Sequence, residues 1–153
     1  MELSMANDLN VAVVGTGYWG KNLLRNFNDL GALYAFCDAE ESSRAEHGPN
    51  YPSAASYEFY GDVLTDRNVD AVAIATPAAT HGKLVRQALD AGKNVFVEKP
   101  LCLDVAEAES LRDLALSRKL TLMVGHLLLY HPAFQAVKKF VDNGNLGGLR
   151  YIY

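Results

Sequence analysis

The stretch VAVVGTGYWG, residues 11–20, decides the fold. A short apolar run leads into a Gly-x-Gly-x-x-Gly pattern, and a helical pattern follows over 18–29. Glycines at these positions allow a tight turn, a close approach of the backbone to a pyrophosphate, and close packing of helix on strand. The start of the helix offers unpaired N–H groups and the positive end of its dipole to the phosphates. The residues predicted to form this dinucleotide loop are Gly15, Thr16, Gly17, Tyr18, Trp19 and Gly20.

Similar apolar runs alternate with helical patterns along the whole chain. The predicted strands are 11–15, 33–38, 71–76, 94–98 and 120–125. The predicted helices are 18–29, 57–66, 80–91, 104–118 and 132–142. The strands lack polar/apolar alternation, which is typical of parallel strands buried on both faces. We therefore expect an α/β protein with a Rossmann-like open, mainly parallel sheet and helices on both faces.

Capping residues support these helix boundaries. Gly31 and Gly92 directly follow predicted helices, where a left-handed C-cap is common. Asp104 is placed to cap the next helix, with Glu107 in the capping-box position. The weakest stretch is 40–56, where glycine and prolines leave room only for a short helix and a loop. His47 lies in this stretch and is expected to be solvated.

Composition excludes several classes of function. The chain has 153 residues, is 50% hydrophobic and carries a net charge of -4 without a Lys/Arg block, which argues against nucleic-acid and membrane surfaces. It has neither an apolar run long enough to span a membrane nor a signal-peptide pattern. Its two cysteines, Cys37 and Cys102, form no disulfide framework, and no metal-ligand spacing is present, so a reduced cytoplasm is expected and no metal site is predicted.

An acidic residue closes the second predicted strand. Asp38 follows Gly15 by 23 residues, near the spacing of about 20 typical of a ribose-binding carboxylate. Such a carboxylate accepts hydrogen bonds from the ribose diol and repels a 2′-phosphate, which favours NAD over NADP. Arg44 lies close enough in sequence to weaken that preference. The alternative is a solvated aspartate that begins a turn.

Polar residues follow other strands at what should be the same edge of the sheet. Ligands of open parallel sheets bind beyond the carboxyl ends of the strands, where Asp38, the pair Thr76-Pro77 and the pair Glu98-Lys99 are expected to meet. Lys99 would face the reactive end of the cofactor. There it could bond a substrate hydroxyl that becomes a carbonyl, and partial burial would suit it to proton transfer. The alternative is a surface lysine paired with Glu98.

The run ATPAATHGKLVRQALDAGKNVFVEKPLCLDVAEAESL, residues 75–111, together with GTGYWG upstream, resembles the N-terminal domain of the Gfo/Idh/MocA family of NAD(P)-dependent sugar oxidoreductases. In that family the matching lysine is catalytic, the lysine–proline peptide is commonly cis, and the matching glutamate lies near the nicotinamide ribose. The resemblance implies these roles for Lys99, Pro100 and Glu98. A narrower resemblance, in GTGYWGKNLLRNF (15–27) and GHLLLYHPAF (125–134), is to the branch that oxidises UDP-N-acetylglucosamine or its uronic acid at C3.

The resemblance also implies a partner domain. Family members carry a second α/β domain that supplies a histidine near the lysine, forms the sugar pocket and makes the oligomer interface. We therefore expect a dinucleotide-binding domain over 1–145, the start of a second domain, otherwise absent, over 146–153, a sugar or UDP-sugar substrate and a homo-oligomer. The fragment itself is expected to be inactive. The alternative is a stand-alone NAD-binding module that senses or scaffolds without turnover.

Histidines at the same edge complete the predicted site. His81 occupies the family's Thr-Pro-x-x-x-His position and is expected to shape the loop facing the cofactor, although a plain histidine at a helix start fits equally. His126, with Tyr130 and His131, follows the fifth predicted strand and is expected to line the nicotinamide pocket. The alternative for that segment is that 127–129 are core and the polar residues only rim it.

Overall fold

The computed structural model describes residues 9–148, 150 and 151. Within these residues six parallel strands form a sheet of order β3-β2-β1-β4-β5-β6. The strands are β1 Val11–Val14, β2 Leu33–Cys37, β3 Ala55–Tyr57, β4 Ala71–Ile74, β5 Asn94–Val97 and β6 Leu122–Val124. The helices are α1 Gly20–Asp29, α2 Glu41–His47, α3 Tyr60–Thr65, α4 Ala78–Asp90, α5 Val105–Arg118 and α6 Pro132–Asp142, with 3₁₀ helices at Gly48–Asn50 and Leu127–Tyr130. The predicted Rossmann-like architecture is confirmed.

Both faces of the sheet are buried, which explains the continuous apolar runs. Val13 of β1 packs on the face that α1 covers, in one cluster with Leu24. Val14, the next residue, packs on the opposite face with Val85 of α4 and Leu111 of α5. Fully burying a side chain of this kind stabilises a fold by about 1.5–3 kcal/mol. A polar residue on either face of β1 would therefore be costly, and none is present.

The register brings the carboxyl ends of five strands into one row. Their paired last residues are Cys37, Val14, Ile74, Val97 and Val124. The residues that follow stand side by side: Asp38, Gly15, Ala75, Glu98 and Gly125. The ladder continues one step past the strands, because Glu98 N donates to Ile74 O at 2.9 Å and Gly125 N donates to Val97 O at 2.8 Å. The predicted site residues of different strands therefore share one edge.

The caps predicted at Gly31, Gly92 and Asp104 are confirmed. Gly31 and Gly92 follow the ends of α1 and α4 with φ of +69° and +76°, in the left-handed region that favours glycine. Asp104 Oδ1 accepts a hydrogen bond from Glu107 N at 2.8 Å and caps α5. Helix α1 begins at Gly20 rather than 18, because Trp19 occupies its N-cap position.

Two features of the central segment differ from prediction. Strand β3 was missed, and the helix predicted over 57–66 begins only at Tyr60, because Tyr57 pairs with Cys37 in the sheet. A strand of three residues without an apolar run gives no periodic signal. The short helix expected within 40–56 is present as α2.

The C-terminal helix leaves an apolar surface uncovered. Helix α6 has no buried residue, and its apolar side chains, together with those of the preceding 3₁₀ helix, are exposed. We call this surface the α6 face; it comprises Leu127, Leu128, Leu129, Phe134, Val137 and Phe140. The alternative that 127–129 are core is therefore wrong.

Some predictions fall at the end of the chain. The segment 146–153, expected to begin a second domain, includes Leu149, Ile152 and Tyr153, which lie outside the described residues. Each helix in the described part of the chain is too short or too polar to cross a membrane.

Candidate cofactor site and active site

The three glycines of the loop have different surroundings. Gly15 has φ +83°, and a Cβ there would lie 2.9 Å from Thr76 N. A Cβ on Gly20 would lie 1.8 Å from Gly15 O, so the loop and α1 can touch only without a side chain. A Cβ on Gly17, in contrast, would meet nothing within 4 Å. Two glycines are thus required by the fold, and the third leaves an open cradle before the start of α1. This arrangement fits a pyrophosphate.

Hydrogen bonds within the protein hold both the N–H and the carbonyl oxygen of Thr16. Its N–H and its hydroxyl donate to Asp38 Oδ2 at 2.7 and 3.0 Å, and its carbonyl oxygen lies 3.0 Å from His47 Nε2. Thr16 and His47 are both buried. The expectation that His47 is solvated is therefore wrong, because the end of α2 folds under the loop. The loop conformation is held by the protein itself.

Asp38 holds the glycine loop in place, in addition to its predicted role as the ribose-binding carboxylate. Its Oδ1 also accepts from Glu40 N at 3.0 Å. Burial is the largest single influence on the pKa of Asp38 and raises it. The hydrogen bonds from Thr16 and Glu40, together with the Arg44 charge, outweigh burial and lower the pKa below its usual value. A carboxylate has about four lone-pair positions, and three bonds already use this one, which leaves room for a ribose hydroxyl.

Arg44 lies directly beside this carboxyl group. Its Nη1 donates to the carbonyl oxygens of Asp38 and Ala39 at 2.7 and 3.0 Å, and its Nη2 forms an ion pair with Glu58 at 3.3 Å. The guanidinium is therefore held between backbone carbonyls and a second carboxylate. This arrangement limits how far Arg44 can offset the repulsion of a 2′-phosphate by Asp38.

A large cleft of about 1090 Å³ opens next to the loop, at the same edge of the sheet. The predicted site residues that line it are Tyr18, Trp19, Thr76, His81, Glu98, Lys99 and His126. Pro77 lines a smaller neighbouring cleft of about 360 Å³ instead. Tyr130 and His131 are not among the lining residues, and His131 caps α6 by accepting from Ala133 N at 3.2 Å.

Glu98 and Lys99 differ in their exposure and in their partners. Glu98 is 7% exposed, and its Oε1 accepts a hydrogen bond from the indole N–H of Trp19. Lys99 is exposed on the cleft, so the expected partial burial is not observed. Among the described residues no ion pair joins the two. The Lys99–Pro100 peptide is cis. The interpretation as a solvated ion pair is therefore wrong, and the lysine is free to meet a ligand.

His81 links two of the strand exits. It is 2% exposed, its Nδ1 lies 2.7 Å from Pro100 O, and its Nε2 lies 2.8 Å from Thr76 O. The imidazole thereby ties the loop after β4 to the loop that carries Lys99. In the part of the chain that the structure describes, no group of three or more His, Cys, Asp or Glu side chains could hold a metal ion.

A Rossmann sheet and a glycine loop with an open cradle together define a dinucleotide-binding domain, and Lys99 leaves strand β5 at the same edge of the sheet. Residues 9–126 match the family model described as the oxidoreductase family with an NAD-binding Rossmann fold. The chain belongs to this Gfo/Idh/MocA family, which confirms the family predicted from residues 75–111 and the glycine loop.

Curated relatives agree with this assignment. The dTDP-3,4-didehydro-2,6-dideoxy-alpha-D-glucose 3-reductase of Streptomyces violaceoruber is 38% identical over 112 residues, which cover 73% of this chain and 33% of the relative. The UDP-N-acetylglucosamine 3-dehydrogenase of Acidithiobacillus ferrooxidans is 30% identical over 144 residues, covering 94% of this chain and 44% of the relative. The chain thus spans between a third and a half of the length of these relatives.

Solved structures show the same fold with either nicotinamide cofactor. A scyllo-inositol dehydrogenase from Lactobacillus casei with bound NAD(H) and scyllo-inositol has a TM-score of 0.83 and 25% identity, covering 91% of this chain and 42% of the other. A variant 3-ketoreductase from Actinomadura kijaniata in complex with TDP-benzene and NADP has a TM-score of 0.84 and 28% identity, covering 93% and 46%. Relatives with this fold therefore bind either NAD or NADP.

Proposed function

We propose that this chain is the cofactor-binding half of an NAD-dependent dehydrogenase that oxidises a sugar, specifically the C3 hydroxyl of a UDP-linked N-acetylamino sugar. One observation carries the proposal. The pyrophosphate cradle at Gly17, the carboxylate of Asp38 and the exposed amine of Lys99 lie along a single edge of the sheet, where Lys99 lines the large cleft together with Tyr18 and Trp19 of the loop. Adenosine binding at one end and chemistry at the other follow from this layout.

The residues present fit a dinucleotide along its whole length. The adenosine ribose would bond Asp38, the pyrophosphate would lie over Gly17 at the start of α1, and the nicotinamide end would reach Glu98 and His126. When bound, the nicotinamide ring supplies the hydride acceptor or donor. NAD is favoured over NADP because Asp38 carries a negative charge and Glu58 pairs with the nearby Arg44.

Lys99 acts on the substrate hydroxyl. In the oxidation the carbon loses a hydride and the hydroxyl oxygen loses its proton, which the amine of Lys99 accepts. In the reverse reduction the ammonium of Lys99 returns that proton to the new hydroxyl. General acid–base catalysis of this kind contributes about 10²–10⁴-fold in rate. The amine is exposed on the cleft, so a substrate can reach it.

The substrate class is supported by the two curated relatives. Both are named for reactions at C3 of a nucleotide-linked sugar. The scyllo-inositol enzyme shows that relatives also act on free polyols, so the nucleotide part is a testable element of the proposal. A chain that binds NADH but turns over inositol rather than a UDP-sugar would correct the substrate and leave the reaction type intact.

We further propose that residues 1–145 form the cofactor domain and that a substrate domain begins near 146. The α6 face is apolar and uncovered, as expected of a surface that packs against such a domain. A homo-oligomer assembled through the substrate domain completes the proposal. Sequencing the coding region downstream of Tyr153 tests the domain boundary directly. An open reading frame that continues into a second α/β sequence supports it, and a stop codon after Tyr153 contradicts it.

Replacement of Lys99 separates catalysis from cofactor binding. In a chain joined to its substrate domain, Lys99→Met should lower kcat by at least about 10²-fold while the Kd for NAD stays within about twofold of wild type. Lys83→Met is the matched control, because Lys83 is exposed on α4 and does not line the large cleft. A Lys99→Met enzyme within a few-fold of wild-type turnover would contradict the proposed role. Tight NAD binding without turnover of any tested sugar would instead support the stand-alone module.

A further inference from the structure

A hydrogen bond joins the glycine loop to the strand exit that carries Lys99. Trp19 is the N-cap residue of α1, and its indole N–H donates to Oε1 of Glu98, 79 residues further along the chain. Trp19 is 40% exposed and Glu98 is 7% exposed. Both side chains line the large cleft. The bond therefore connects the phosphate-binding end of the site with its reactive end.

The second carboxylate oxygen of Glu98 is held in a narrow place. A Cβ on Gly125 would lie 3.2 Å from Oε2 and 3.1 Å from the ring of Phe96, so a side chain there would press on the carboxylate and on the ring. Among the described residues no donor bonds Oε2. Because the indole N–H is a donor only, it fixes Oε1 as the acceptor and leaves Oε2 as the atom available to a ligand in the cleft.

We propose that Trp19 is a positioning residue that acts through Glu98, holding its carboxylate so that Oε2 accepts a hydrogen bond from the nicotinamide half of the cofactor. This inference rests on the proposed function, because it requires a dinucleotide in the cleft. Without the indole N–H, a nearly buried carboxylate loses its donor and its orientation. The adenosine half is bound elsewhere, at Asp38 and the glycine loop, and does not depend on this bond.

The test compares two ligands on the 153-residue chain. Trp19→Phe keeps an aromatic ring and removes the N–H. NADH affinity, followed by dihydronicotinamide fluorescence, should fall about tenfold, which equals about 1.4 kcal/mol. ADP affinity, measured by calorimetry, should stay within about twofold because ADP does not reach Glu98. Tyr34→Phe is the control, since Tyr34 lies near the amino end of β2, does not line the cleft, and its hydroxyl bonds Asn68 and Asp66.

A double-mutant cycle shows whether Trp19 acts through Glu98. In a Glu98→Ala background, Trp19→Phe should change NADH affinity by less than about twofold. The inference is overturned if the effects of the two substitutions on NADH affinity are additive, or if Trp19→Phe leaves NADH affinity unchanged. It is also overturned if Trp19→Phe lowers ADP affinity as much as NADH affinity, because that result would indicate a distorted glycine loop. Absence of both NADH and ADP binding in the unsubstituted chain would instead overturn the proposed function.

A second measurement does not require the Trp19 variant to fold. Trp19 is the only tryptophan of the chain, so a nitrogen-15 correlation spectrum contains a single indole N–H signal. Glu98→Ala should move that signal strongly, whereas Glu107→Ala, which changes a carboxylate on α5, should not. An indole signal that Glu98→Ala leaves in place would overturn the inference.

Discussion

Substitution of Gly17 by alanine should weaken cofactor binding without harming the fold. A Cβ at this position meets nothing within 4 Å, and its φ lies outside the positive region that disfavours alanine. The unfolded chain loses freedom in the same substitution, so the free energy of unfolding should be unchanged or rise by about 0.4–1 kcal/mol. The open space at Gly17 is nevertheless the space that a pyrophosphate would occupy. A methyl group there should weaken NADH binding by at least about tenfold, or about 1.4 kcal/mol.

Gly20→Ala provides the matched contrast within the same loop. Its Cβ would lie 1.8 Å from Gly15 O and must retreat to at least 3.0 Å, which separates α1 from the loop. Overpacking of this kind costs about 1–3 kcal/mol. In a chain of this size each kcal/mol shifts the Tm by about 2–4 °C, so the Tm should fall by about 2–12 °C.

Thermal unfolding followed by circular dichroism and titration with NADH measure both effects. The expected pattern is a stable Gly17→Ala chain that binds poorly and a Gly20→Ala chain that unfolds early. Wild-type NADH affinity in Gly17→Ala would refute the assignment of the cradle. Early unfolding of Gly17→Ala would refute the claim that the space at this glycine is reserved for a ligand.

Four further predictions concern cofactor choice, pH-dependent stability, thiol chemistry and association. The wild-type chain should bind NADP with a larger dissociation constant than NAD, as measured by calorimetry, and Asp38→Ala should bring the two constants closer together. Equal wild-type affinities for the two cofactors would contradict the role of this carboxylate. Burial raises the pKa of Asp38, but the hydrogen bonds from Thr16 and Glu40 outweigh burial and lower it. The ionised carboxylate therefore stabilises the fold above its unfolded pKa of about 3.9, and this stabilisation is lost as the pH falls through the lower folded pKa. Below about pH 5 the free energy of unfolding of Asp38→Asn should consequently fall less steeply with decreasing pH than that of the wild-type chain. Burial is the main cause that raises the pKa of Cys37 to about 12, so at pH 8 a thiol reagent should modify Cys102 in the native chain and both cysteines only in denaturant. Because the α6 face is exposed, the 153-residue chain should self-associate at high concentration, as followed by light scattering, and Val137→Glu should reduce this; a wild-type chain that stays monomeric would contradict the expectation.

Local sequence was sufficient to predict most of the fold. The run VAVV reads as a buried parallel strand because both of its faces are packed, and the caps at Asp104, Gly31 and Gly92 are set by the residues themselves. Strand β3 was not predictable in this way. It owes its existence to pairing with β2, which is a tertiary effect that a three-residue stretch does not record.

The candidate site was predicted in its residues but not in all of their contacts. The row of strand ends follows from parallel topology, so Asp38 and Glu98 could be placed at one edge from the sequence. The burial of His47 beneath Thr16 depends on how α2 folds back, and the Trp19–Glu98 bond joins residues 79 positions apart. Neither contact has a periodic or motif signal. The exposure of Lys99 could not be inferred either, because it depends on whether the adjacent Glu98 carboxylate pairs with Lys99 or bonds Trp19.

The most direct test of the account measures where the nicotinamide lies. Trp19 is the only tryptophan and lines the cleft at the end proposed for the nicotinamide. Its emission overlaps the absorption of the dihydronicotinamide ring, so energy transfer reports their proximity. If the nicotinamide lies beside Glu98, saturating NADH should quench Trp19 emission almost completely and produce sensitised dihydronicotinamide fluorescence, whereas saturating ADP should produce no sensitised emission. NADH that competes with ADP for the chain yet leaves Trp19 emission unchanged would contradict it.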